Sequence, residues 1–233
     1  MKSEFWKLLY NRWILVVSFF IPVFALCVMF VLNVTGGTYE ELFETKFLQS
    51  MYLTQNWFAV LAAFYFGEEF KRSSLRSGLL CCPKRVRFLI AKLGCLFIWM
   101  TVLLYITISL CFVAIRVAAP EAEIPYGQFL SLSVPVFFST VEIALITVAL
   151  TLLLKSGTIA MAVAISLLMG LGHMLLSFGE VMRLLPGICT MNAFYLFGQP
   201  GFLEKSAGLI CQGMVCVAAL GLALGIFMRR SVR

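Results

Sequence analysis

The sequence predicts an all-α integral membrane protein: a six-transmembrane-helix bundle with an N-terminal interfacial helix and one short amphipathic helix on the cytoplasmic side. Three observations predict it. Of the 233 residues 62% are hydrophobic and only 12% charged, about half the charged fraction of an ordinary soluble domain. The mean hydropathy is +1.00. The apolar residues gather in runs of about 20, the length a helix needs to cross hydrocarbon. No run alternates as a barrel strand would.

The elements follow in order. Over residues 1–12, Phe5, Trp6, Leu8, Leu9 and Tyr10 are interleaved with Lys7, Asn11 and Arg12, the composition of an interfacial amphipathic helix. Residues 13–233 then form one transmembrane domain with spans at about 13–33, 50–66, 88–115, 129–154, 158–178 and 206–228. The second is short and the third and fourth are long, so their tilts differ. A basic start before an apolar run is also the plan of a cleaved signal peptide, but no small-x-small site follows it. Phe24-Ala25-Leu26-Cys27 lacks the small residue that precedes a lipoprotein cysteine, and the first span is read as uncleaved.

Basic residues are retained on the cytoplasmic side. With both termini inside, the inner segments hold 14 of the 18 Lys+Arg, and the outer segments hold Lys46, Arg116, Arg183 and Lys205 beside seven Glu. The net charge of +7 is thus a matter of sidedness and implies no nucleic-acid partner. The expected location is the plasma (cytoplasmic) membrane, multi-pass.

Composition also restricts the chemistry. There is no Asp, and His173 is the single His, which excludes an aspartyl-phosphate, a Ser-His-Asp triad, an EF-hand and a His/Asp-rich metal cluster. Lys155-Ser156-Gly157-Thr158 lacks the glycine loop of a P-loop, so no nucleotide site is expected on this chain. Cys27, Cys95, Cys111, Cys211 and Cys216 fall in spans, Cys81 and Cys82 on the inner loop and Cys189 alone outside. Free thiols are expected, with no extracellular disulfide.

The first inner loop runs from Gly67 to Lys92. From Glu68 to Leu80 its apolar residues Phe70, Leu75, Leu79 and Leu80 sit among charges, with Leu75 and Leu79 one helical turn apart, and Pro83 forces a turn before the next span. A solvated loop touching anionic headgroups is one reading. The order Glu69, Ser73-Ser74, Leu79-Leu80, Pro83, Arg85 and Lys92 also resembles the first cytoplasmic loop of ABC-2-type transporter permeases, which have Glu, a small-hydroxyl pair, a leucine pair, Pro, Arg and a Lys opening the third span. Ser73-Ser74 departs from the usual Gly-Thr. The six-span layout extends the resemblance over the whole chain, most closely to small peptide-exporting or antimicrobial-peptide-immunity members. The resemblance implies a coupling helix docking on a separate ATPase subunit. Glu69, Arg72, Ser74 and Arg76 would give directional contacts there, and Leu75 and Leu79 would anchor an apolar groove. It further implies two ATPase copies carrying ATP and Mg, a second permease chain, identical or paralogous, and no catalysis or cofactor on this chain.

An intramembrane protease of the CAAX-processing type needs Glu-Glu-x-x-x-Arg and further His motifs. Glu68-Glu69-Phe70-Lys71-Arg72 has the wrong spacing. Within the spans, Glu142 is a candidate for binding a cationic or amphipathic substrate or for relaying protons in an ion-coupled carrier. The plain alternative is a Glu hydrogen-bonded to Ser139 or to an amide such as Gln212. His173 is a candidate for the same pathway, although a lone His is more often a packing residue. The outer segment Leu184–Phe202 is apolar but broken by Pro and Gly, so it dips into the outer leaflet or caps the cavity. There Phe194, Tyr195 and Phe197 form either the extracellular gate that the resemblance implies or an aromatic interfacial belt. Gly221 and Gly225 form a Gly-x-x-x-Gly pattern that suits a close helix contact.

Overall fold

The computed structural model describes residues 2–31, 42–70, 85–118, 125–196 and 198–229. Among these residues the regular structure is entirely helical. We label seven helices: α1 (Lys2–Tyr10), α2 (Arg12–Val31), α3 (Gln49–Gly67), α4 (Arg85–Ala118), α5 (Tyr126–Leu154), α6 (Gly157–Ser166) and α7 (Lys205–Arg229). Four of them, α2, α4, α5 and α7, are long and apolar enough to cross a membrane, so the chain is an α-helical membrane protein.

Asn11 separates α1 from α2. Its Oδ1 accepts the Trp13 N–H at 3.1 Å, the bond of an N-cap residue to the second residue of its helix. Leu8 is buried while Trp6 and Tyr10 are exposed, so α1 is amphipathic as its composition predicts.

The second predicted span matches α3 in position but differs in character. Gln49, Thr54, Gln55 and Asn56 leave it too polar to count with the four apolar helices, yet fourteen of its nineteen residues are buried. In α7 five of twenty-five are buried. α3 is therefore the centre of the bundle, packed on α2, α5 and α6. Ser50 Oγ donates to the Ala25 carbonyl at 2.8 Å, and Trp57 meets the Phe20 and Phe24 rings of α2. A π-helical stretch, Leu42–Leu48, precedes α3. It places Phe43 and Phe47 against Phe129 at the start of α5.

The fifth predicted span, 158–178, is helical throughout but changes helix type along its length. α6 stops at Ser166, gives way to a π-helical stretch Leu167–Leu171, one α-turn Gly172–Leu175 and a 3₁₀ turn Leu176–Phe178. Gly170 and Gly172 are poor helix formers at this point. Tyr52 on α3 donates its hydroxyl to the Leu168 carbonyl at 2.8 Å, giving the π-helical stretch a partner outside its own ladder.

α5 and α6 are joined by a tight turn. Lys155 adopts left-handed backbone at φ 55°, and Ser156 Oγ accepts the Ile159 N–H at 3.4 Å as the cap of α6. Gly157 then lies on α3: a Cβ there would stand 2.6 Å from the Ala63 carbonyl oxygen and 3.0 Å from the Gly67 Cα. Ala59, Ala63 and Gly67 thus form the small-residue stripe that admits a second backbone. Gly221 and Gly225, by contrast, face open space; their spacing makes no close contact within the described chain.

Gly157→Ala is accordingly expected to destabilise the bundle by about 1–3 kcal/mol through overpacking. Gly221→Ala and Gly225→Ala are expected to be neutral or to stabilise by up to about 1 kcal/mol. Thermal unfolding in detergent measures both, and equal effects at the two places would contradict this packing.

Candidate functional site

In hydrocarbon, polar groups must find partners within the protein, so the polar contacts between helices mark where structure and function concentrate. On α5 most hydroxyls are satisfied locally. Ser133, Thr140, Thr147 and Thr151 each donate to the carbonyl four residues earlier, a bond that uses no other helix. Besides single bonds such as Ser50 to Ala25, Tyr52 to Leu168 and Trp99 to Ser18, two centres join several elements at once.

The first lies at the end of the bundle where α3 stops. Lys92, in the second turn of α4, is buried, and its Nζ donates to Glu69 Oε1 at 2.6 Å. Glu69 stands in the 3₁₀ turn Glu68–Phe70 that continues α3. The same ammonium lies 4.5 Å from the centre of the Tyr65 ring and 5.2 Å from that of Phe66, cation–π contacts that add to the pair in a desolvated setting. Phe70, Phe88, Leu152 and Phe227 line a small cavity beside it, so the ends of α3, α4, α5 and α7 converge here. Glu69 is thus buried and engaged, not presented outward. The other residues expected to contact an ATPase, Arg72, Ser74, Leu75, Arg76 and Leu79, lie outside the described residues, as do Ser73, Leu80 and Pro83.

The second centre is Gln212 on α7, fully buried. Its Nε2 donates to the Ser139 carbonyl and to Glu142 Oε2, both at 3.2 Å. Its Oε1 accepts the Gly187 N–H at 2.8 Å and the Thr190 hydroxyl at 3.1 Å, and Thr190 Oγ1 accepts the Ser139 hydroxyl at 2.9 Å. One carboxamide therefore uses all four of its bonding positions to bind α5, α7 and the segment 187–190 together. Gly208, one turn earlier, rests against the Cys189 carbonyl with no room for a Cβ. Of the partners proposed for Glu142 from the sequence, Gln212 is the one it bonds; Ser139 contributes its carbonyl and hydroxyl to the same network instead.

The outer segment is held inward by this network. Ile188 to Phe194 are buried, and Asn192 closes the following turn by donating to the Leu203 carbonyl at 2.8 Å and accepting the Gln199 N–H at 2.9 Å. Phe194 packs edge-on to Tyr52 of α3, with ring centres 5.4 Å apart, inside the bundle and not in a belt at its surface. Tyr195 is half-buried and Phe197 lies outside the described residues. His173 is in the single α-turn after the π-helical stretch, and its side chain is outside the described residues. Among the described residues no group of three or more His, Cys or acidic side chains is placed to hold a metal. Cys27, Cys95, Cys111, Cys189, Cys211 and Cys216 are free thiols.

Sequence reading missed Gln55 and Thr190. Gln55 is buried in α3 with neither end of its carboxamide hydrogen-bonded, and Asn56 beside it has an unbonded Oδ1. The available signal was the low hydropathy of a segment that nevertheless had to be enclosed. Thr190 carried no signal, because its role depends on the return of a distant loop. Comparison with known proteins finds no matching family model, no similar curated protein and no similar solved structure.

Glu69→Ala removes the carboxylate to which the buried Lys92 ammonium donates, and the expected cost is about 3–5 kcal/mol. The double change Glu69→Leu with Lys92→Met removes both charges and should recover most of that stability. A double-mutant cycle on thermal unfolding reads the coupling, and additive effects would refute a paired role. Burial, and more weakly Cys211, pushes the Cys189 thiol up to about 12. At pH 7 maleimide should therefore leave Cys189 unmodified in the folded chain and modify it after unfolding, as followed by peptide mass spectrometry.

Proposed function

We propose that this chain is the transmembrane permease subunit of an ATP-driven exporter of the ABC-2 type, moving amphipathic peptides or other hydrophobic compounds. A separate ATPase subunit in two copies would supply the energy, and a second permease chain would complete the pathway. The observation that carries this reading is the ion pair between Glu69 and Lys92. These two residues bracket the loop whose residue order resembles a coupling loop, and their pairing ties both ends of that loop to the point where four helices meet. A push delivered to residues 71–84 would be passed to α3 and α4 together.

Six crossings are part of this proposal. α3 extends from the Phe43–Phe47–Phe129 aromatic cluster at one end of the bundle to Gly157 at the other. Its 19 residues span about 28 Å, close to the hydrocarbon thickness of about 30 Å. The segment 157–178, helical throughout but of mixed helix type, would be the fifth crossing, packed on α3 and α5. Both termini would then face the cytoplasm, as the distribution of basic residues requires.

Purification of the chain from its native membrane in mild detergent should retain a nucleotidase. Leu75→Asp or Arg76→Glu should release it without unfolding the bundle. A preparation that retains no nucleotidase would overturn the assignment. A second reading, an ion-coupled carrier, is favoured by a carboxyl part-way along a spanning helix. In that case transport would continue without ATP and would fail on Glu142→Gln or on collapse of the proton gradient.

A further inference from the structure

Glu142 is the single carboxylate within the four spanning helices. It lies about 24 Å from one end of α5 and about 18 Å from the other, at 1.5 Å per residue. A carboxyl at such a depth is expensive unless something completes it. Gln212 completes half. Its amide holds Oε2 from behind at 3.2 Å, while Ser139, Thr190 and Gly187 occupy the rest of that carboxamide.

Oε1 is placed differently. Among the described residues it has no hydrogen-bond partner, and no described cation forms an ion pair with Glu142. It lies 3.2 Å from the position that a Cβ on Gly213 would occupy. Glycine at 213 thus leaves a notch at the α5–α7 seam, with a carboxylate oxygen at its floor. Around it the surface is apolar and exposed: Phe138, one turn before Glu142 on α5, is 51% exposed and Met214 on α7 is 63% exposed. Glu142 itself is only partly buried, so the notch opens sideways from the bundle.

We propose that this notch binds the ammonium group of a cationic amphiphile that enters laterally from the bilayer, its apolar body lying along Phe138 and Met214. A divalent metal does not fit. Calcium takes six to eight oxygen ligands, and the neighbouring hydroxyls of Ser139 and Thr190 are engaged with each other and with Gln212. One carboxylate with apolar walls matches a single positive charge carried on a hydrocarbon body. The proposal concerns recognition by the membrane part alone and stands whichever energy source drives the bundle.

Modification by dicyclohexylcarbodiimide tests it, with the full chain in lipid nanodiscs and the adduct at residue 142 quantified by mass spectrometry. Dodecyltrimethylammonium should slow modification about tenfold, the factor given by about 1.4 kcal/mol. Dodecyl maltoside at the same concentration should not slow it. Equal slowing by both, or slowing by neither, would overturn the proposal, as would the absence of any adduct at Glu142. Saturable binding of radiolabelled dodecyltrimethylammonium supplies the second measurement. Glu142→Gln keeps an acceptor for the Gln212 amide and should preserve the elution profile while losing that binding. Retained binding by a folded Glu142→Gln chain would refute the site. Neither result depends on whether an ATPase co-purifies.

Discussion

The approach of α6 to α3 is the contact on which the rest of the arrangement depends. Apolar side chains gain little by leaving lipid for one another, so helices in a bilayer associate through close packing and polar links. Gly157 sits on the backbone of Ala63 and Gly67, and that contact sets the path of α6 along α3. Further along, Ala59, Ile143, Ala164 and Leu168 form a small cluster of their own. The helix then loosens into its π-helical stretch where Tyr52 takes the Leu168 carbonyl. With α6 on one side, α2 on another and α5 on a third, α3 is enclosed along its length. That enclosure keeps Gln55 and Asn56, in the middle of α3, away from the hydrocarbon.

Two polar links then fix what packing leaves free, and they differ in kind. The Glu69–Lys92 pair is ionic and buried, with aromatic faces on the cation. Such a pair contributes little net stability relative to apolar residues but strongly penalises separation of its members. It therefore acts as a constraint on position: the residues that enter and leave the loop 71–84 stay together. The Gln212 network is neutral apart from Glu142 and joins two spanning helices to a returning segment. A carboxamide with five partners, the Cys189 thiol among them, specifies one orientation of all three. The bundle is thus pinned near one end by charge and further along by an amide, with apolar contacts between.

Much of this was legible in the sequence. α2, α4, α5 and α7 coincide with four predicted spans to within three residues at each described end, because long apolar runs leave a chain few alternatives in hydrocarbon. The division of the interfacial helix from the first span was legible to within two residues, set at residue 12 where Asn11 makes it, and Gln212 was among the possible partners of Glu142. The change of helix type within the fifth span was not legible. A hydropathy pattern counts apolar residues and does not register Gly170 and Gly172 between them, nor a tyrosine on another helix that takes a backbone carbonyl. The Gly221–Gly225 spacing shows only that a helix could come close, and none of the described helices of this chain does. The close approach uses Ala63, Gly67 and Gly157, which lie in two separate segments.

The sequence by itself determined the solvent, the helical class, the position of the long apolar helices and the concentration of basic residues in one loop. Each of these depends on composition or on neighbours a few residues apart, where the free energy is local. Only the tertiary structure decided that α3 is central, that Glu69 is turned inward to Lys92 across 23 positions of chain, and that Gln212 reaches Glu142 across 70. Those pairings come from which helices lie side by side, and that choice is made by small-residue packing and by the need to satisfy buried polar atoms collectively. No window of sequence contains both partners of such a bond.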